Sequence, residues 1–337
     1  MDLMSRRRLL LPLVESGGEL PSEYAKLPYI FGDGRQTIIT NIAPSETDII
    51  TVDSQLIDLS NNCSILGAGN GTRFNAMYCA TNEPGFAVQF GSYLDGAYTY
   101  TSFVKDTNRH TFTLNAPERT FSIDSTSFSL ESFRYLVSDN NYSLFFINNN
   151  NSHYSAEKYY GVTIAGKLKL IPCIRKSDGE IGMYDIVQNI FFTNSGIGKF
   201  HQNPLYTTPY SDDTCVATGA SSRTFNTSIG SISYNNGVFT LTRTNSSAGL
   251  VIIMGLMEAN ETYNISGTFG NIDGKMYIAK VNGIIRPDYA SIRKATKTLQ
   301  SGATDFTPTE TGLYEFLVWS SNTNPITAQD IRVTKIS

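Results

Sequence analysis

Leu168–Phe200 reads LKLIPCIRKSDGEIGMYDIVQNIFFTNSGIGKF, and its wording decides the fold. From Lys167 to Ile174 polar and apolar residues alternate, which predicts a half-buried strand with Leu168, Leu170 and Cys173 inward. Ser177-Asp178-Gly179 then supplies a turn whose glycine tolerates positive φ. Ile181 to Tyr184 and Ile190 to Thr193 predict two short strands joined through Asp185 to Asn189, and Asn194 to Gly198 a further turn. The stretch is a series of hairpins.

The same punctuation recurs upstream. Thr37 to Ile42, Ile49 to Val52, Phe74 to Ala80, Phe86 to Phe90, His110 to Leu114, Thr120 to Ile123 and Leu144 to Ile147 are short β-patterned runs. Turn chemistry separates them at Gly67 to Gly71, at Asp95-Gly96 and at Asn148 to Asn151, while Leu130 to Leu136 predicts a single helical turn. The pattern suits two packed antiparallel sheets.

Composition shifts at His201 to Asp213, where Pro204 and Pro209 interrupt the patterning. Beyond it, Ser231 to Tyr234 and Val238 to Arg243 flank Asn235-Asn236-Gly237, and Lys275 to Val281 and Ile284-Ile285 flank Asn282-Gly283, both strong hairpin signals. Leu250 to Met254 predicts a buried strand, Ile331 to Ile336 a closing one, and the lone Trp319 a core residue. The expected fold class is all-β, with two antiparallel β-sandwiches in tandem behind a short extended arm. The expected boundaries are 1–19 for the arm, 20–203 and 215–337 for the sandwiches, and 204–214 for a linker.

Several classes of function are disfavoured by composition. With 26 basic against 30 acidic residues the chain is close to neutral, so no broad nucleic-acid footprint is expected. No run approaches the roughly 18 apolar residues of a membrane-crossing helix. The four cysteines lack CxxC spacing and read as free buried thiols, and the three histidines lack ligand spacing, so neither zinc nor any other metal site or cofactor is expected. Calcium would have only the loop groups Asp212-Asp213 or Asn271 and Asp273 to use, which read more simply as solvated.

Catalysis finds little support. A glycosidase needs two carboxylates about 5 to 9.5 Å apart across a groove. Asp124 and Glu131 are the available pair, without a closely alternating acidic strand, and Asp178 has a turn role. The GxGxG at Gly67 to Gly71 lacks a following helix and a phosphate-binding lysine, and no GxSxG elbow occurs. Sugar binding asks instead for aromatic faces with amide, carboxylate and cationic partners. Tyr154, Tyr159 and Tyr160, beside His153 and Lys158, read as an aromatic loop of the first sandwich, and Arg286, Tyr289 and Arg293, with Asp288, as its counterpart in the second. The N-terminus offers Arg6, Arg7 and Arg8 before Leu9, Leu10 and Leu11. That apolar run is too short for a signal peptide and is broken by Pro12, so it reads as a docking peptide with Glu15 to Gly18 as tether.

The wording of the opening stretch resembles the terminal hairpin of laminin-G-like, concanavalin-A-type jelly rolls in bacteriophage virion and tail proteins. The residues that carry the resemblance are Pro172, Arg175 to Gly179, Gly182, Tyr184, Asp185, Phe192 to Asn194, Gly196, Gly198 and Phe200. Leu20 to Tyr24, Leu27 to Ile30 and Gly34 to Ile38 resemble that family's opening strand, although Pro28 and Phe31 to Asp33 depart from it. Phe306 to Phe316 is similar to the late strands of galactose-binding-like and carbohydrate-binding modules. The resemblance implies a non-enzymatic phage fibre, tail appendage or capsid decoration protein, assembled in the bacterial cytoplasm and displayed on the particle surface. Its implied partners are other virion proteins, through the arm, and host cell-surface glycans. On the fibre pattern it implies a homo-oligomer, a trimer, with no nucleic acid bound and no membrane insertion. The alternatives are an architectural cement protein and, further off, a polysaccharide depolymerase.

Overall fold

The computed structural model describes residues 20–34, 36–59, 62–69, 73–80, 82–92, 98–130, 140–145, 155–196, 199–202, 215–218, 230–236, 238–243, 249–272, 276–280, 298–299, 304–318, 320 and 322–336. Among the described residues the chain is all-β, with no helix. The first region contributes β1 (Tyr24–Lys26), β2 (Ile30–Asp33), β3 (Ile38–Ile39), β4 (Ile49–Leu56), β5 (Cys63–Gly69), β6 (Arg73–Cys79), β7 (Gly85–Ser92) and β8 (Tyr98–Val104). It continues with β9 (Arg109–Asn115), β10 (Thr120–Ile123), β11 (Thr126–Ser129), β12 (Ser143–Leu144), β13 (Ala156–Ile164), β14 (Leu168–Arg175), β15 (Ile181–Asp185) and β16 (Ile190–Phe192). The second region holds β17 (Cys215–Thr218), β18 (Gly230–Asn235), β19 (Val238–Arg243), β20 (Gly249–Met257), β21 (Thr262–Gly270) and β22 (Met276–Lys280). It ends with β23 (Thr298–Leu299), β24 (Thr304–Phe306), β25 (Gly312–Val318) and β26 (Ile326–Ile336).

These strands form four antiparallel sheets. One has ten strands, in the order β11-β10-β9-β4-β13-β14-β15-β16 with β1 against β14 and β2 against β13; another has six, in the order β3-β12-β5-β6-β7-β8. The second region forms two five-stranded sheets, β17-β20-β25-β22-β23 and β18-β19-β26-β21-β24. Ile331 to Ile336 is thus part of a central strand, paired to β19 on one side and β21 on the other.

Period-two burial explains the ten-stranded sheet. Along β4, Ile50, Val52, Ser54 and Leu56 are buried while Thr51, Asp53 and Gln55 are not, and β9 repeats the pattern with His110, Phe112 and Leu114 inward. One core gathers Val52, Phe112, Tyr159 and Leu170 from that sheet with Ile65, Met77, Phe86 and Val88 from the six-stranded one. Each such apolar side chain contributes roughly 1.5–3 kcal/mol when fully buried. A second core joins Leu241, Ile265 and Val333 to Ile252, Phe316 and Val318, and it takes in Phe31, Ile57 and Ala156 from the first region.

The first two described strands lie in a fork. β13 and β14 pair only from Val162↔Leu170 to Ile164↔Leu168; beyond that β2 lies along β13, and β1 along β14. Pro172 sits at the parting, where its carbonyl accepts the Leu27 N–H at 2.9 Å. In a strand a residue's N–H and C=O point to the same side, so the donor that proline lacks falls in the fork and not in the ladder to β15. Central proline is tolerated there for that reason.

Several expectations change. Tyr159 and Tyr160 belong to a central strand, not a loop, because AEKYYGVTI forms β13 between β4 on one side and β2 with β14 on the other. Gly67 to Gly69 continue β5 instead of turning, with Ser143 Oγ donating to the Gly67 carbonyl at 3.0 Å. Only Ile38–Ile39 of the Thr37 to Ile42 run is strand. Cys173 is buried, but on the opposite face from Leu168 and Leu170, packed with Tyr184, Ile186, Leu20 and Tyr24, as odd and even positions must diverge. Gly179 does adopt φ +74°, and Asn236 in the Asn-Asn-Gly turn has φ +50°. Arg6, Arg7, Arg8, Leu9, Leu10, Leu11, the 204–214 linker, Glu131, Tyr154, Arg286, Tyr289, Arg293 and Trp319 lie outside the described residues.

Candidate functional site

A shelf of aromatic and charged side chains stands on the outward face of the ten-stranded sheet. Register builds it: Phe31 faces Lys158, Lys158 faces Gln55, and Gln55 faces Arg109, so one row crosses β2, β13, β4 and β9. A bulge between Tyr159 and Gly161 swings the Tyr160 ring into the neighbourhood of this row. The Arg109 guanidinium lies 3.8 Å from the centroid of the Tyr160 ring, and its Nε and terminal nitrogen reach the two oxygens of Asp53 at 2.7 and 2.5 Å. This bidentate clamp fixes a planar cation on an aromatic face.

The remaining groups extend the shelf. Tyr160 OH donates to Gln55 Oε1 at 3.0 Å, while Gln55 Nε2 donates to the Thr107 carbonyl at 2.9 Å. Tyr29 meets Tyr160 edge-on at 5.5 Å, and Lys158 Nζ stands 5.1 Å from the Tyr29 ring centroid. Burial pushes both phenols above their ordinary range and Lys158 below its own, the latter opposed by the carboxylate of Glu258 from the second region. The shelf therefore borders the seam where Phe31, Ile57 and Ala156 enter the second core. It offers a flat, half-exposed platform ringed by donors and one carboxylate.

Behind it, on the inward face, lies a buried polar pocket. Tyr159 is fully buried, its ring T-shaped against Phe145 at 4.5 Å and its hydroxyl donating to the Ile65 carbonyl. The ligand-facing role expected for Tyr159 is therefore corrected: consecutive strand residues face opposite ways, and Tyr160 alone of the two looks outward. Glu157 lies beside it with no exposure, near the hydroxyls of Ser54, Tyr159 and Ser155. Tyr159 and Ser155 spend their protons on the carbonyls of Ile65 and Ser64, leaving little to solvate a charge. Burial raises the Glu157 carboxyl to about 8, so it is a neutral acid at pH 7. Phe145 is held at φ +67°, a costly conformation for a bulky residue, by the same packing: its ring approaches Gly32 so closely that any side chain there would collide.

Asp124 sits in a different cluster. His110 Nδ1 is 2.7 Å from Asp124 Oδ2 and its Nε2 is 2.9 Å from Asp106 Oδ1, inside a ring of Phe86, Phe103 and Phe112. Burial works against charging this imidazole, but the two carboxylates outweigh it and raise its pKa. Both nitrogens are engaged, and the other oxygen of Asp124 accepts the Thr111 N–H at 2.9 Å. The cluster pins the β10–β11 turn, where Asp124 has φ +52°.

Of the sugar-facing residues expected, the structure brings Tyr160 and Lys158 together and adds Tyr29, Asp53, Gln55 and Arg109, which the sequence reading passed over. Arg109 immediately precedes the His110 to Leu114 run that predicted β9, and Asp53 and Gln55 follow Ile49 to Val52 at the polar positions of β4, so period-two arithmetic places them outward. Their meeting with Tyr160 needed the strand order. Among the described residues no three His, Cys, Asp or Glu side chains gather as a metal-binding group, and no helix is long and apolar enough to cross a membrane. No protein-family model matches this chain, and no curated protein matches it significantly.

Proposed function

We propose that this chain is a non-enzymatic phage virion protein, a fibre, tail appendage or capsid decoration, that binds host-surface glycans through the Tyr160–Arg109 shelf. On this reading the ten- and six-stranded sheets are the two layers of a laminin-G-like jelly roll, and the two five-stranded sheets are the layers of a carbohydrate-binding-type sandwich. The arm at residues 1–19 docks the chain on the particle. The shelf is the observation that carries the proposal: an aromatic face, a clamped guanidinium, an ammonium and a carboxylate half-exposed on an open sheet suit the hydroxyls and flat C–H faces of sugars. Weak single sites would gain ~10²-fold in avidity when copies are displayed together. Support for a role without catalysis comes from the described acids, since Glu157 is sealed in the core and Asp124 is bound on both oxygens.

The test is a glycan array probed with multivalent wild-type protein and with Arg109→Ala and Tyr160→Ala variants of unchanged melting behaviour. Binding lost in both variants supports the shelf. Hits that survive both substitutions sink it, and an array without hits, beside dense contacts on imaged particles, favours a cement role. Particles that incorporate a 1–19 deletion normally would refute docking through the arm.

A further inference from the structure

We infer that Cys63 and Cys79 are a latent cross-strand disulfide, reduced at synthesis and closed when the protein meets an oxidising medium. Cys63 opens β5 and Cys79 ends β6, and the two are directly opposite in the antiparallel register. Such partners have Cα atoms about 4.5–5.5 Å apart, inside the roughly 4.4–6.8 Å that a disulfide spans. Both are buried thiols outside any disulfide. Their position is the last pair of the ladder, where strands open most readily, and a register shift between Ser64 and Leu66 weakens the pairing just inside it.

The surroundings also set an order of reaction. Cys63 lies 2.9 Å from the Asp58 carbonyl, and its thiol is in hydrogen-bond contact with the Cys79 sulfur. That contact, helped by the nearby Lys105 ammonium, holds Cys79 below the usual thiol range against the opposing effect of burial, and holds Cys63 well above it. The Lys105 ammonium donates to the carbonyl of Ala80, next to Cys79, and this cation on the Cys79 side of the pair favours Cys79 as the first nucleophile. Its thiolate attacks one sulfur of a low-molecular-weight disulfide, forming a mixed disulfide and releasing one small thiol. Cys63, losing its proton, then attacks the Cys79 sulfur and expels the second small thiol. Two protein thiols are oxidised, one small disulfide is reduced, and one S–S bond forms between β5 and β6. Cys173 has no such partner: it faces Gly182 across the ladder.

The experiment uses the full chain, purified reduced, then incubated natively with oxidised glutathione, denatured, alkylated and mapped by mass spectrometry. The expected result is the loss of two of the four alkylatable thiols and a Cys63–Cys79 linked peptide, reversed by dithiothreitol. Cys79→Ala should abolish the linked peptide, and Cys63→Ala should leave Cys79 as a glutathione adduct. Four alkylatable thiols after treatment that fully oxidises a control dithiol, or a linkage through Cys173 or Cys215, would overturn the inference. Because the wild-type map decides it, misfolding of either variant would not rescue the idea.

Discussion

The two regions bury different kinds of core. In the first region Asp33, Gln36, Asp48, Asn75, Gln89, His110, Glu157 and Asp185 are buried, whereas the described part of the second region buries only Arg243, Glu315 and Ser320. Gln36, Asp48, His110 and Asp185 tie loops and strand ends together. Asp48 is an example: it takes the Lys167 ammonium at 2.6 Å, the Tyr142 hydroxyl at 3.0 Å and the Ser45 N–H at 2.7 Å. Arg243 does the same work once in the second region, donating to the carbonyls of Ser320, Asn322 and Asn324. The difference teaches that the first region is specified by hydrogen bonds as well as by packing, and that its stability must depend on pH.

The contrast breaks most severely if the second core is hollowed. Phe316→Ala removes a fully buried ring packed at 5.8 Å on Phe269 and should cost about 3–5 kcal/mol. Calorimetry should show that loss at every pH; a cost that varies with pH would undo the distinction. Glu157→Gln tests the other side. A carboxyl raised to about 8 from an unfolded value of 4.5 makes the folded state hold the extra proton between those limits, so stability falls as pH rises through that window. Replacing it by the neutral amide should leave stability unchanged near pH 4.5 and gain on the order of 3 kcal/mol at pH 7. Denaturant titrations of both proteins at the two pH values measure it, and equal stabilities at pH 7 would refute a buried neutral acid.

A smaller effect is expected at His110. Its folded pKa is raised above the unfolded one, so its contribution is complete below about 6.5 and is lost as pH climbs through the folded value. Because Asp106 and Asp124 are 40% and 47% exposed, solvent screens the pair, and His110→Gln should cost only about 1 kcal/mol at pH 5 and less at pH 9. Amide exchange in the β10–β11 turn would report the loss locally. The smallest change in stability belongs to Tyr160→Ala, within about 1 kcal/mol as befits a half-exposed ring. A much larger loss would mean that the shelf supports the seam with the second region and is not free for a ligand.

Much of this was legible in the chain. The turn at Ser177-Asp178-Gly179, the strands on either side of it and the Asn-Asn-Gly hairpin stand where turn chemistry put them, because a positive φ and a period of two are local demands. The aromatic run at Tyr159-Tyr160 was misplaced for a physical reason: preceded by Asn and His, it looks like a loop, and only partners on both sides of β13 make it a strand. The Gly67 to Gly69 stretch misled in the same way, since glycine permits a turn without requiring one.

The sequence by itself determined that the chain is all-β and where many of its hairpins turn. Tertiary structure alone decided which strands became neighbours, and with them that Arg109 caps Tyr160, that Glu157 is sealed from water and that Cys63 faces Cys79. Alternation assigns each side chain to a face, but antiparallel pairing joins residues dozens of positions apart, and its register follows from how whole sheets bury their apolar faces together.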